Sequence, residues 1–451
     1  MKSMKNICFI ANYYKTDVFV KVAQSLKQHD ITTYWIIPNL KQYIDLSSQF
    51  PKTQLLYIGK KEVLSESAEK HDFDLKINEL VYGDRVLREE SSTWTYDYLL
   101  KLQSLYYNFI KDNSINYIFG EVTWAHELVA HRLTLQENTL NCEFLNPHTI
   151  RIPNGRFAFF TDEFQSKIKE ISKTSISKID TIKIEKPSYL SINDKLIAKK
   201  GTLKHNLKLI QNFVSRANQD ANDPTLYSNP FTQLKIRSAE VCNRFLFNKR
   251  VKETSVKKVS TNKKKVLFTL HKQPEASIDV IGRYYENQLE LITNIWRILP
   301  EDYILLVKEH SNAIGDRRLK FYKSVKKLRH TYLIDNKADS HKLLDDCDVF
   351  FTVSGTIAYE AALKGKYAFT FAPTFFNKMI TCNEVSWKDF KNYRLEDLIN
   401  AQNYGLTVNE FSKWLLDNSF EGIMSDAFGD PRCVEMDNID SLTNAFKTVI
   451  K

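Results

Sequence analysis

Val349-Phe350-Phe351-Thr352-Val353-Ser354-Gly355-Thr356-Ile357-Ala358-Tyr359-Glu360 is the stretch whose reading decides the fold. Five consecutive apolar or β-branched residues read as a buried strand, and a Ser-Gly-Thr turn then opens a helical pattern. The same grammar repeats around it. Val266–Leu270 precedes a helix over 284–298, Tyr303–Lys308 a helix over 317–329, and Thr331–Ile334 a helix over 340–346. Tyr367–Phe371 closes the set after a helix over 356–364. Short buried strands alternating with helices predict a parallel, doubly wound sheet with right-handed crossovers.

Upstream the alternation continues less cleanly. Strands are expected at 6–11, 32–37, 53–58, 115–119 and 141–145, and helices at 16–29, 95–113 and 123–137. Thr202–Arg216 and Thr232–Phe247 read as helices, as do 408–417 and 438–449. Between the two alternating halves, Lys249–Lys265 carries eight Lys or Arg and one acid, Glu253, and reads as an exposed linker. The expected fold class is therefore α/β: two Rossmann-like lobes with a cleft between them and a helical C-terminal tail. The expected units are a first lobe at 1–248 with a helical insertion, a basic linker at 249–265, a second lobe at 266–387, and a tail at 388–451 packing back across both.

Composition narrows the function. The chain has 451 residues, 43% hydrophobic and 26% charged, enough for two globular cores. It holds only 12 glycines, and the closest pair, 422 and 429, lies seven apart. That excludes a GxGxxG fingerprint and a GxxxxGK[ST] phosphate loop. A net charge of +10 favours anionic partners. Six scattered cysteines without a CxxC pair predict reduced thiols and a cytoplasmic setting. No run approaches 18 uncharged apolar residues, so no membrane span is expected, although the basic stretch suits peripheral contact with the anionic inner face of the cytoplasmic membrane.

Ligands of open parallel sheets bind beyond the carboxyl ends of the strands. Applied strand by strand, that rule collects the polar residues. After Val266–Leu270 come His271, Gln273, Glu275 and Ser277, around Pro274. Tyr303–Lys308 ends in Lys308-Glu309-His310, placing Lys308 and His310 for a phosphate or a sugar carboxylate. The 349–353 strand ends in Ser354-Gly355-Thr356, a helix start suited to phosphate, with Glu360 one turn on for a ribose diol. In the first lobe the 115–119 strand ends at Gly120-Glu121, where Glu121 is a candidate general base. Arg151 and Arg156 flank a turn and suit an anionic acceptor. No metal is expected: His126 and His131 stand five apart, about 140° around a helix, and cannot share an ion.

His271-Lys272-Gln273-Pro274-Glu275-Ala276-Ser277, Lys308-Glu309-His310, and Ser354-Gly355-Thr356 with Glu360-Ala361 and Gly365-Lys366 resemble, in order and spacing, the C-terminal half of bacterial capsule and surface-polysaccharide biosynthesis proteins. The nearest likeness is to Kdo-transferase-like glycosyltransferases of the GT-B fold. Members often carry a proline after the His of the second motif, where this chain has Ser311. The resemblance implies a nucleotide sugar in the second lobe, CMP-Kdo the leading donor, and a saccharide or glycolipid acceptor on the first. It implies direct displacement without a bound cofactor or metal: Glu121 as base, His310, Lys308 and the helix start stabilising the leaving phosphate. Two alternatives stay open. One is a CDP-polyol phosphotransferase of teichoic-acid-like polymer synthesis. The other is a non-enzymatic nucleic-acid-binding protein, against which the basic residues peak in the linker rather than on a recognition helix.

Overall fold

A computed structural model describes residues 5–67, 73–136, 140–171, 182, 184, 220–259, 262–401 and 404–450. The helix expected at Thr202–Arg216 lies outside them.

Two sheets organise the chain, as the alternating pattern predicts. The first contains β1 (Lys5–Ile10), β2 (Ile31–Ile37), β3 (Leu55–Tyr57), β4 (Tyr117–Phe119), β5 (Glu143–Thr149) and β6 (Arg156–Phe160). The second contains β7 (Lys264–Thr269), β8 (Tyr303–Lys308), β9 (Thr331–Ile334), β10 (Val349–Thr352), β11 (Tyr367–Thr370) and β12 (Cys382–Glu384). A late strand, β13 (Phe420–Glu421), joins the first sheet. The second sheet is parallel throughout, in the order β12-β11-β10-β7-β8-β9. The first runs β13-β6-β5-β4-β1-β2-β3, with β6 antiparallel to β5 and β13 antiparallel to β6. Strands buried on both faces are apolar almost without interruption, which is why β8, Tyr-Ile-Leu-Leu-Val-Lys, is legible by eye. The antiparallel edge is not expected from the sequence, since neither β6 nor β13 is followed by a helix in the βα rhythm.

Each sheet reverses its strand order once, at β1/β4 in the first and at β7/β10 in the second. Such switch points open a crevice where two neighbouring strand ends diverge to opposite faces. Both crevices are occupied by the polar turns described below.

The lobes are tied together at several places. The helix Pro230–Arg250 leaves the first lobe and lies on the second, its Phe247 ring 4.9 Å from that of Tyr322. The basic stretch after it is pinned rather than free: Thr254 N–H donates to Leu333 O at 2.8 Å and Val259 is buried. Its last residues, Lys264 and Lys265, already belong to β7. The tail packs Phe411 and Leu415 into the second lobe, adds β13 to the first sheet, and ends as the helix Met436–Val449. Phe446 of that helix lies 4.7 Å from Phe119 and 5.0 Å from Phe159. Among the described residues no helix is long and apolar enough to cross a membrane. All six cysteines are unpaired, five of them buried.

Candidate functional site

A cleft of about 1560 Å³ runs between the lobes and is lined from both switch points.

At the first, Asn12 follows β1 and Glu121 follows β4. Asn12 Nδ2 donates to Glu121 Oε2 and to Glu127 Oε1, both at 2.9 Å. Lys15 forms an ion pair with Glu121. Burial alone would raise the Glu121 carboxyl, but Lys15, then His148 and Arg85, outweigh it and hold the group below its ordinary range. Among the described residues Glu127 forms no ion pair. Burial, then the charge of Glu121, pushes it well up. It accepts from Thr123 N and Oγ1 at 2.9 Å and closes the start of the helix Ala125–Thr134. His148 lines the cleft beside this pair. Its Nδ1 stands 3.0 Å from Thr149 O, an atom that only accepts, so Nδ1 carries the proton. Burial, then Lys15 and Arg151, pull its pKa below the usual range, which leaves a neutral ring with its lone pair on Nε2.

At the second switch point, His271 follows β7 and Ser354 follows β10. His271 Nε2 lies 2.9 Å from Thr352 Oγ1 and accepts from Ser354 N–H at 3.3 Å. Burial, then the neighbouring His310 and Arg317, push its pKa down to about 3, consistent with an accepting, neutral ring. Thr352 Oγ1 also accepts from Gly355 N–H at 3.2 Å. Ser354 Oγ donates to Ser277 O at 2.9 Å. The turn is thus held by side chains from two strands before any ligand arrives. Gly355 has φ −75°, so no unusual backbone demands glycine there. A Cβ would instead meet Thr352 Oγ1 at 2.6 Å. With the Ser354 and Gly355 amides turned inward, an anion at this helix start meets Thr356 and Ile357, both on the cleft wall.

At the end of β8, Lys308, Glu309 and His310 all line the cleft. Glu309, 1% exposed, is paired to Arg317 at 2.7 Å and accepts from Tyr322 Oη at 2.7 Å. Arg317 also donates to His271 O, which couples the 271 loop to β8. Burial lowers the Lys308 pKa against the pull of Asp335 and Glu309. His310 Nδ1 accepts from Asn312 N–H at 3.2 Å. Glu360, one turn into the helix Thr356–Leu363, lies within the electrostatic reach of Arg151. Burial pushes its carboxyl up to about 7.

The cleft therefore gathers Glu121, Arg151, His271, Glu275, Ser277, Lys308, His310, Ser354, Gly355, Thr356 and Glu360. Two sequence-predicted residues stand elsewhere. Gln273 is turned toward Asp279, 3.3 Å from its Oδ1, and braces its own loop. Arg156 reaches Ser419 O at 2.7 Å, Leu416 O at 3.2 Å and Glu421 at 3.3 Å. Its guanidinium fastens β13 to the first lobe, so it is a strap residue rather than an acceptor contact. Asn12, Lys15 and His148 line the cleft without having been predicted. The strand-end rule that singles out His271 after β7 applies equally to Asn12 after β1; nothing local marks His148 or Lys15.

No family model and no curated protein matches the chain. Among solved structures, the KpsC β-Kdo 2,7-transferase of Thermosulfurimonas dismutans is 12% identical over 98% of this chain and 99% of that one, with a TM-score of 0.40. The KpsC β-Kdo 2,4-transferase of the same organism is 12% identical over 75% and 88%, at 0.33. A Methanocaldococcus jannaschii UDP-GlcNAc 2-epimerase in complex with UDP-GlcNAc and UDP is 12% identical over 90% and 97%, at 0.27. Likeness at this level carries no assignment, and the site is read from its own geometry.

Proposed function

We propose that this protein is a glycosyltransferase that takes a sugar from a nucleotide donor in the second lobe and passes it to an acceptor on the first. One observation carries the reading: the switch points of two sheets face each other across one polar cleft. One offers a helix start with hydroxyls and cations, the other a cluster of proton-accepting groups. The donor class most compatible with the second lobe is a nucleoside monophosphate sugar, CMP-Kdo by the sequence resemblance. The pre-tied turn leaves few amides for phosphate, which suits one phosphate better than two. Lys308 and Arg151 supply cations for a sugar carboxylate.

In this reading the acceptor oxygen attacks the anomeric carbon as the bond from that carbon to the phosphate oxygen breaks. The phosphate departs onto the Thr356–Ile357 helix start with Lys308 and His310 beside it, so the charge lands where dipoles and cations already stand. The acceptor proton passes to His148 Nε2. Glu121 already accepts from Lys15 and Asn12 and serves as the charge that balances Lys15. No resident cofactor enters this scheme.

Thermal stabilisation by CMP-Kdo, CDP-glycerol, UDP-sugars and GDP-sugars tests the donor. Stabilisation by CMP-Kdo, with CMP as product, is expected. A response to CDP-glycerol alone points to polyol-phosphate transfer, and a response confined to UDP compounds overturns the cytidine assignment. His148→Ala is expected to lower kcat by about 10²- to 10⁴-fold while the CMP-dependent stabilisation persists. Unchanged turnover moves the base role elsewhere.

A further inference from the structure

The helix Pro230–Arg250 packs through one face and carries an apolar stripe on the opposite one. Its inner face, with Ile236, Glu240, Arg244 and Phe247 at helical spacing, rests on the second lobe. Arg244 Nε donates to Ile314 O at 3.0 Å, and Phe247 is the helix's one buried residue. On the outer face Phe231, Leu234, Val241, Cys242 and Phe245 fall within an arc of about 100°. They face solvent: Phe231 is 70% exposed, Val241 57% and Phe245 61%. Nothing among the described residues covers them, although the stripe spans four turns.

Charge identifies the occupant. Lys235 and Arg237 border the stripe at its start, and Lys249, Arg250 and Lys252 at its end. Lys249 Nζ stands 5.6 Å from the centre of the Phe245 ring. The helix's one acid, Glu240, is on the packed side and pairs with Arg237 at 2.8 Å, which leaves Lys235, Lys249, Arg250 and Lys252 to carry the charge beside the stripe. Pairing with a second copy, parallel or antiparallel, brings these cations against one another. A nucleic acid satisfies the cations but leaves the rings in water. An anionic bilayer satisfies both, taking the rings below the headgroups and the cations among them. We propose that the outer face of this helix docks the protein on an anionic lipid surface. Arg244 and Asn248 of the same helix line the cleft, so docking holds the cleft close to the membrane plane. The proposal stands apart from the assignment of the reaction.

Co-sedimentation of the full chain with phosphatidylcholine vesicles, with and without phosphatidylglycerol, tests it. Cys242 is the one exposed cysteine and takes an environment-sensitive fluorophore. Binding only to the phosphatidylglycerol vesicles is expected, weakened by salt, with a blue shift of the Cys242 probe. Phe231→Ser/Phe245→Ser alters only exposed side chains. It is expected to leave Tm unchanged and to weaken vesicle binding at least about tenfold. Three outcomes overturn the proposal: no binding to anionic vesicles at low salt, undiminished binding by the double variant, or a lipid-free dimer or RNA complex that the double variant abolishes.

Discussion

Glu360 shows how one buried carboxyl registers its surroundings. Desolvation raises its pKa from the ordinary 4.5 to about 7, and the Thr356 contact and Arg151 recover only part of that cost. A raised pKa means that the folded chain keeps a proton the unfolded chain releases. The stability attached to that proton is complete below about pH 4.5 and is lost as pH rises through 7. Glu360→Gln is neutral at every pH. Its Tm is therefore expected to match the parent near pH 4.5 and to exceed it by a few degrees at pH 8.5, for a difference of order 1–3 kcal/mol. Equal differences at both pH values would show that the carboxyl is not buried as described. The position of Glu360 was readable from the sequence, one turn past a strand-end glycine. Its elevated pKa was not, because desolvation depends on how deeply the folded cleft wall encloses the carboxyl and not on the residues beside it in sequence.

Among elements, the 352–356 turn is the one most tightly specified. Thr352 Oγ1 contacts His271 Nε2, accepts from Gly355 N–H and lies 3.2 Å from Thr269 Oγ1. A single hydroxyl thus joins β7, β10 and the helix that follows. Gly355→Ala places a methyl 2.6 Å from that oxygen. The expected result is a loss of about 1–3 kcal/mol in denaturant unfolding together with loss of nucleotide-induced stabilisation. A variant with parental stability and nucleotide response would show that the turn yields without cost. The Ser-Gly-Thr pattern announced this element, but for a different reason. The glycine reads as room for an anion; the structure uses it as room for Thr352. Likewise the first four strands after position 264 fall within two residues of their expected ends, because runs such as Val-Phe-Phe-Thr have few alternatives to a buried strand. Strand β6, Arg-Phe-Ala-Phe-Phe, carries the same apolar run but no mark of its antiparallel pairing with β5, and the two-residue edge strand β13 carries neither.

At the scale of the molecule, the lobes meet through a buried ionic cluster. Glu163 binds Arg132 through both carboxylate oxygens, at 2.7 and 2.9 Å, and takes Arg283 of the second lobe at 2.7 Å. Arg283 also approaches Glu79, and its guanidinium lies 4.5 Å from the Phe164 ring. Removing one acid leaves two buried cations poorly compensated, so Glu163→Ala is expected to cost about 3–5 kcal/mol in chemical unfolding. A loss under about 1 kcal/mol would mean that water already screens the cluster. The sequence by itself determined the two α/β lobes, the strand ends and three of the polar clusters at those ends. Those features follow from local periodicity and from the rule that parallel strands deliver side chains to their carboxyl edge. Tertiary structure alone decided that Lys15 neutralises Glu121, that Arg156 straps β13, that His148 joins the cleft, and that one face of the Pro230–Arg250 helix is left bare. Each of these depends on residues far apart in the chain, Arg156 and Ser419 among them, and pairing over such separations is fixed by packing, which no local pattern encodes.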